Sequence, residues 1–483
     1  MKCSALRCHS PLLSFCLIPV LASCSGSARV IPDADGDEVA LGTAMVEVDT
    51  AQPLQTIEGF GASVAWYGEL FTDHPNRAEL AQLLFADLGI DILRLRNQYR
   101  KAGDVPDANG VAIVQAATES LGHPLRTLLT SWAPPASLKA SGIANCSGGS
   151  DTGCTLRKNT DGSFPYDEFA RYWVESIQAY RTEGLDPYYV SIQNEPDFVP
   201  NGWEGCRFEP IEQNGFPGYD RALDAVATQF SSAAIPARLI GPDSAHLLNG
   251  AVLKYVEAAE PGQLYGIAHH LYDGNSWKNP DGFYVPMADI AQTFPELPKF
   301  QTEFSPTDQA GKAVQGGFEV AWLIHHSIAI EHASAYLHWE LFWPTSGLIA
   351  IDNPRDPSRW TTANGYTIRE PYYAMRHFSR YTDPGDRVLR TNVGATDVLA
   401  TAFLASDGSR LTVVVLNTSN AQRSFSLKLG GFAYVASKSF TTTSDAPWQP
   451  GAEFAPESDP TEVPLPPRSV MTIAFANDPA LLR

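Results

Sequence analysis

Positive charge is scarce in this chain of 483 residues: 34 Lys and Arg stand against 54 Asp and Glu, a formal net charge of −20. Phosphate would be repelled and no basic run interrupts the deficit, which argues against a nucleic-acid partner and leaves neutral substrates compatible. Long apolar runs are missing after the first two dozen residues, so the body of the chain is not membrane-spanning. With 44% hydrophobic and 18% charged residues it is an ordinary globular composition, long enough for one large domain or two. There is no internal repeat. Cysteine is sparse, seven in all, with no zinc-binding spacing, and no metal or organic cofactor is expected.

Four of the seven cysteines fall in the N-terminal 24 residues, which form a targeting segment. Lys2 and Arg7 precede an apolar run from Leu12 to Ala22, and Leu21-Ala22-Ser23-Cys24 resembles a bacterial lipobox in which Cys24 is lipidated. The alternative is an ordinary secretory signal cleaved nearby. Either way the protein is exported, as an envelope lipoprotein or in secreted form, and a membrane partner is expected only through the lipid. Residues 1–23 are then the leader and 24–42 a polar tether. Of the remaining Cys146, Cys154 and Cys206, at most one bridge forms. Cys146 and Cys154 flank a Gly- and Ser-rich stretch, so a loop staple is the simplest pairing; Cys206 with either partner stays open.

From Thr56 to Leu341 extended segments alternate with helical ones, the pattern of a parallel sheet with crossover helices. Strands are expected at Thr56–Ser63, Ile92–Arg96, Arg126–Thr130, Tyr188–Glu195, Ala237–Asp243, Leu264–Tyr272, Pro298–Ser305 and Ala335–Leu341. Helices are expected over 75–88, 166–183, 222–232, 250–259 and 317–332. Eight such units predict a (β/α)8 TIM barrel over 43–384. After about Pro384 short alternating strands take over, predicting a fused antiparallel β-sandwich over 385–483, completed by a strand near 44–50.

Two of the barrel strands end alike. Tyr188-Tyr189-Val190-Ser191-Ile192-Gln193-Asn194-Glu195-Pro196 is an apolar-rich run that stops at a carboxylate, where Pro196 lacks the N–H of a continuing ladder. Phe300-Gln301-Thr302-Glu303-Phe304-Ser305-Pro306 repeats the design about three βα units of roughly 35 residues further on. Strand C-termini of a barrel open on one mouth, so Glu195 and Glu303 converge there. Glycoside cleavage needs such a pair: an acid for the leaving oxygen and a carboxylate for the oxocarbenium-like centre. Like-charge repulsion keeps the acid protonated until the nucleophile is glycosylated. A strand-end structural acid is the plainer reading of either glutamate alone.

The runs Ser191–Pro196, Gln301–Phe304, Glu58-Gly59-Phe60-Gly61-Ala62 and Ser131-Trp132-Ala133-Pro134-Pro135, with His270-Leu271-Tyr272 and Trp339, resemble glycoside hydrolase family 30 over roughly residues 45 to 477. The resemblance implies a retaining mechanism with Glu195 as acid/base and Glu303 as nucleophile, Asn194 on the substrate 2-OH and Tyr272 orienting the nucleophile. It implies a polysaccharide hydrolase, most like the xylanase branches, acting on β-1,4-xylosidic bonds; a monomer is expected. A β-1,6-glucanase, a β-1,6-galactanase, a glucosylceramidase-like enzyme and a non-catalytic polysaccharide-binding lipoprotein are the alternatives. Further substrate contacts are expected from His270, Trp132, Trp339 and Trp343, more weakly from Trp66 and Trp203. The arginine that reads glucuronate after strand eight in one branch is missing from Trp339–Leu348; Arg100, after strand two, is the candidate replacement. Arg94 and Arg96 share one strand face, for an internal salt link or for substrate. His269 and His270, adjacent on a strand, cannot chelate one ion.

Overall fold

In the strand Ile92–Arg96 successive side chains point to opposite sides of the wall. Leu93 and Leu95 join the large outer core beneath the helices, while Ile92 and Arg94 turn into the bore. Eight parallel strands are built this way: Gly59–Val64, Ile92–Arg96, Arg126–Thr130, Tyr189–Ser191, Arg238–Ser244, Gly266–His270, Lys299–Glu303 and Ala333–His338. They are hydrogen-bonded in chain order into a closed barrel, the eighth strand returning to the first with Ala335 opposite Gly59. At Gly61 a Cβ would lie 2.2 Å from the Ile92 carbonyl oxygen, so the first two strands approach this closely only because no side chain intervenes. This computed structural model describes residues 43–482 other than 104, 105, 275, 309–311, 313 and 457–461. The leader, the tether and Cys24 lie outside the described residues.

The bore is layered. At its base Glu58 accepts from the Arg126 guanidinium and the Tyr189 hydroxyl, each at 2.5 Å, and from the Tyr265 hydroxyl. Above it Ile92, Leu128, Ile240, Ala268, Phe300, Ala335 and Leu337 close an apolar layer. The charged groups at the strand C-termini sit above that layer, so water reaches them from the mouth alone.

Among the described residues, three helices of ten residues or more go beyond the sequence expectation: Ala108–Leu121, Tyr284–Thr293 and Glu370–Ser379. Their buried stripes include small residues such as Ala117, Ala291 and Ala374, which mark a helical period weakly. The helix expected over 75–88 is α-helical over Arg77–Ala81 and continues as a π-helix over Gln82–Asp87.

The C-terminal strands form a nine-stranded sheet that takes in the long N-terminal strand Ala44–Thr56, antiparallel to Arg387–Val393 and parallel to Arg423–Lys428. The sheet folds over itself. Val463–Leu465 stands at one end of the strand order, yet Asn417, from a strand five places away in that order, donates to the Leu465 carbonyl at 3.1 Å. Val46, Val413, Phe425 and Ile473 fill the space between the layers. Two buried histidines tie sandwich to barrel: His325 meets the Thr401 hydroxyl at 2.7 Å, and His377 bridges those of Thr472 and Thr442 at 2.8 and 2.7 Å.

Candidate active site

Glu303 is the last residue of the seventh barrel strand; Glu195 lies four residues past the fourth. The regular ladder of the fourth strand ends at Ser191, earlier than its apolar pattern suggests, but the chain stays attached to its neighbours. Asn194 N–H donates to the Ser131 carbonyl at 2.7 Å and Glu195 N–H to that of Asp243 at 2.9 Å. The Glu195 backbone turns into the left-handed region, φ 47°, a conformation that costs a residue with a side chain about 1 kcal/mol or more and is held here by those flanking bonds. The turn aims its carboxyl across the mouth. One carboxylate oxygen of Glu195, one of Glu303 and a ring nitrogen of His270 lie within 4.8 Å of one another.

Arg94 organises the floor beneath them. Fully buried, it donates from Nη1 to Glu303 Oε2 at 2.5 Å and from Nη2 to Asn194 Oδ1 at 2.6 Å and Asp243 Oδ2 at 2.9 Å, with the Trp132 ring centroid 4.6 Å away. Burial would raise the pKa of Asp243, but Arg94 and His270 hold it well below the usual carboxylate range. His270 donates from Nδ1 to Glu195 at 3.0 Å and from Nε2 to Asp243 at 3.3 Å, with Glu303 3.8 Å from Nε2. Burial works against its charge, yet Glu303, Asp243 and Glu195 outweigh it and bring the imidazole up to about 10. At neutral pH it is therefore an imidazolium with both nitrogens donating, and it has no lone pair for a metal. Burial raises the pKa of Glu303, opposed by His270 and Arg94 and reinforced by Glu195. Tyr272 is pushed far up by burial and by both glutamates, so it stays a neutral phenol.

Above this floor opens a cavity of about 1020 Å³. Trp66 is the centre of an indole wall, its ring centroid 5.2 Å from Trp132, 5.6 Å from Trp339 and 6.5 Å from Trp343. An anionic carboxylate braced by two cations, with a second carboxyl above it and apolar rings around, can attack a carbon with one group and move a proton with the other.

The model of the glycosyl hydrolase family 30 beta sandwich domain matches residues 387–473. The chain is 24% identical to a glucuronoxylanase of Bacillus subtilis over 94% of its own length and 97% of that protein's. Its C-terminal sandwich is that of glycoside hydrolase family 30. An endo-1,6-β-D-glucanase of Aspergillus fumigatus is 25% identical, over 64% of this chain and 62% of that protein. Among solved structures, a conserved exported protein of Bacteroides fragilis superposes with a TM-score of 0.73 at 17% identity, covering 89% of this chain and all of that one.

At the mouth of the barrel, the cavity brings together Glu195, Glu303, Asn194, Tyr272, Trp132, Trp339 and Trp343. Two expected substrate contacts lie elsewhere. His270 is fully buried beneath the two glutamates and does not line the cavity: a bore-facing residue of the sixth strand, it ends below the rim. Arg100 turns aside, its guanidinium on Glu204 at 3.1 Å and on the Asn97 and Tyr99 carbonyls, because a loop residue four positions past the strand is not aimed by its register. His269 packs outward on Glu331. Arg94 and Arg96 both make the salt links, Arg96 with Glu204 at 3.5 Å. Sequence reasoning missed Asp243, whose position at the end of the fifth strand was a usable signal, and gave Trp66 too little weight. Cys146 and Cys154 are disulfide-bonded and Cys206 is a buried free thiol.

Proposed function

We propose that this glycoside hydrolase is a retaining β-glycanase, with Glu303 as nucleophile and Glu195 as acid/base, acting on the β-1,4-xylosidic bonds of xylan. The observation that carries the reading is the approach of the two glutamates to within 4.8 Å between carboxylate oxygens. That separation suits direct attack, about 5–5.5 Å between carboxyl groups, and leaves too little room for the water that the roughly 6.5–9.5 Å of an inverting pair admits. Glu303 attacks the anomeric carbon from its Arg94 brace as Glu195 gives its proton to the departing glycosidic oxygen. The resulting glycosyl ester is cleaved by a water whose proton returns to Glu195, regenerating both groups. Asn194, its Oδ1 held by Arg94, presents its amide N–H₂ to the sugar, and Tyr272 steadies the Glu303 oxygens.

Xylan is favoured because the B. subtilis glucuronoxylanase aligns along nearly the whole chain. A β-1,6-glucanase is the second reading, favoured by the similar identity to the A. fumigatus enzyme over a shorter span. Dependence on a glucuronate group through Arg100 is not part of the proposal, since Glu204 already occupies that guanidinium. Reducing-end release on xylan, glucuronoxylan, β-1,6-glucan and β-1,6-galactan separates these readings, and a non-catalytic binder releases nothing from any. Glu303→Gln is expected to abolish turnover while the fold and oligosaccharide binding persist; near-normal activity would refute the assignment. We also propose export of a monomer with Cys24 lipidated, tested by mass spectrometry of the mature N-terminus and by sedimentation.

A further inference from the structure

Two separate aromatic groups line the cavity. One is the indole wall of Trp66, Trp132, Trp339 and Trp343 beside the floor. The other is Phe198, Trp203 and His246, with the Phe198 ring centroid 6.4 Å from that of Trp203 and 6.1 Å from that of His246. Phe198 and Trp203 belong to the loop of the acid/base candidate, and His246 to the loop after the fifth barrel strand. Phe198 N–H donates to the Glu195 carbonyl at 3.0 Å. Asp197 accepts from the Ala245 N–H at 3.0 Å and faces His246 Nδ1 at 3.8 Å.

Trp203 is 48% exposed, yet its backbone is firmly held. It sits in the strand Asn201–Glu204, antiparallel to Asn145–Ser147, with Asn145 Nδ2 donating to the Gly202 carbonyl at 3.1 Å. The Cys146–Cys154 disulfide closes the loop that supplies the partner strand, and the next residue, Glu204, is ion-paired with Arg96 and Arg100. A large apolar ring left to water on a braced two-stranded ribbon at a cavity rim offers a flat face that needs no ordering when a ligand arrives.

We infer that Phe198, Trp203 and His246 form a subsite for the sugar unit on the leaving-group side of the scissile bond. A neutral pyranose stacks its C–H face on Trp203, and one of its hydroxyls hydrogen-bonds the His246 imidazole that Asp197 positions. The assignment rests on the proposed function: the group beside the proton donor faces the half of the chain that departs with the proton.

The test compares a polymer with a donor whose leaving group is a single atom. Wild type, Trp203→Ala and Trp203→Phe are assayed on xylan and on β-xylobiosyl fluoride, or on β-1,6-glucan and β-gentiobiosyl fluoride if that is the polymer cleaved. Loss of the indole is expected to lower kcat/KM on polymer about tenfold while the fluoride changes by less than about twofold. Trp203→Phe, which keeps a flat ring, retains most of the polymer activity. Equal loss on both substrates in both variants, or no loss on polymer, overturns the subsite. A wild type that turns over neither fluoride instead overturns the retaining reading beneath it.

Discussion

A single guanidinium, Arg94, holds Glu303 Oε2 at 2.5 Å and Asn194 Oδ1 at 2.6 Å, so the nucleophile candidate and the residue preceding the acid/base candidate share one support. The fork geometry does this; a point charge does not. Arg94→Lys keeps the charge and loses the second arm, and kcat is expected to fall about a hundredfold with a smaller change in KM. Arg94→Met leaves Asp243 and Glu303 short of a buried cation and is expected to cost about 3–5 kcal/mol in denaturant unfolding. A Lys variant with wild-type kcat would show that the bidentate hold is dispensable.

Glu195→Gln removes the proton donor and leaves Glu303 in place. On a natural polymer turnover is expected to fall about 10²- to 10⁴-fold. On an aryl glycoside with a good leaving group the first step survives, and azide, which needs no general base, should restore turnover and give a β-glycosyl azide. Absence of azide rescue would count against the acid/base role.

His270 carries a charge created by the fold. Glu303, Asp243 and Glu195 outweigh burial and raise it to about 10, against about 6.5 in the unfolded chain. Above pH 6.5 the native state therefore binds a proton that the unfolded state has released. Its stabilising contribution is complete below about pH 6.5 and is lost as pH rises toward 10. Thermal unfolding between pH 7 and 10 should show a falling midpoint in wild type and a shallower slope in His270→Gln. Parallel slopes would rule this linkage out.

His377 works in the opposite direction. Burial, with Arg376 nearby, pushes it down to about 3, between two threonine hydroxyls at the barrel–sandwich boundary. The unfolded chain takes up this proton first, so stability is lost as pH falls from about 6.5 toward 3. Denaturant midpoints at pH 7 and pH 5 should differ less in His377→Gln than in wild type. An unchanged difference would shift the acid sensitivity to other groups, His325 first.

The parts of this molecule that follow from alternation and punctuation were readable from the residues. Eight apolar runs ended by polar stops predicted the barrel, and two of those stops were Glu195 and Glu303. Height in the bore was not readable. Strand parity placed His270 on one of two faces but could not say that it stops beneath the carboxylates, and it left Arg94 undecided between substrate and salt link. Loop residues carry no parity at all, which is why Arg100 pointed away from its expected role and Trp66, two residues past its strand, proved central to the indole wall. The helix Ala108–Leu121 escaped for another reason: its buried side is Gly110, Val111, Ile113 and Ala117, where two small residues weaken the apolar period and two β-branched ones suit a strand equally well.

The greasy disc between Glu58 and Arg94 divides the polar interior of the cylinder into two storeys. Among the described residues no side-chain hydrogen bond joins the Glu58 cluster to the Arg94 cluster, so no relay of donors and acceptors carries a proton from one to the other. The underside can therefore be rebuilt with close-fitting nonpolar side chains in place of the Glu58 cluster without breaking a single contact upstairs.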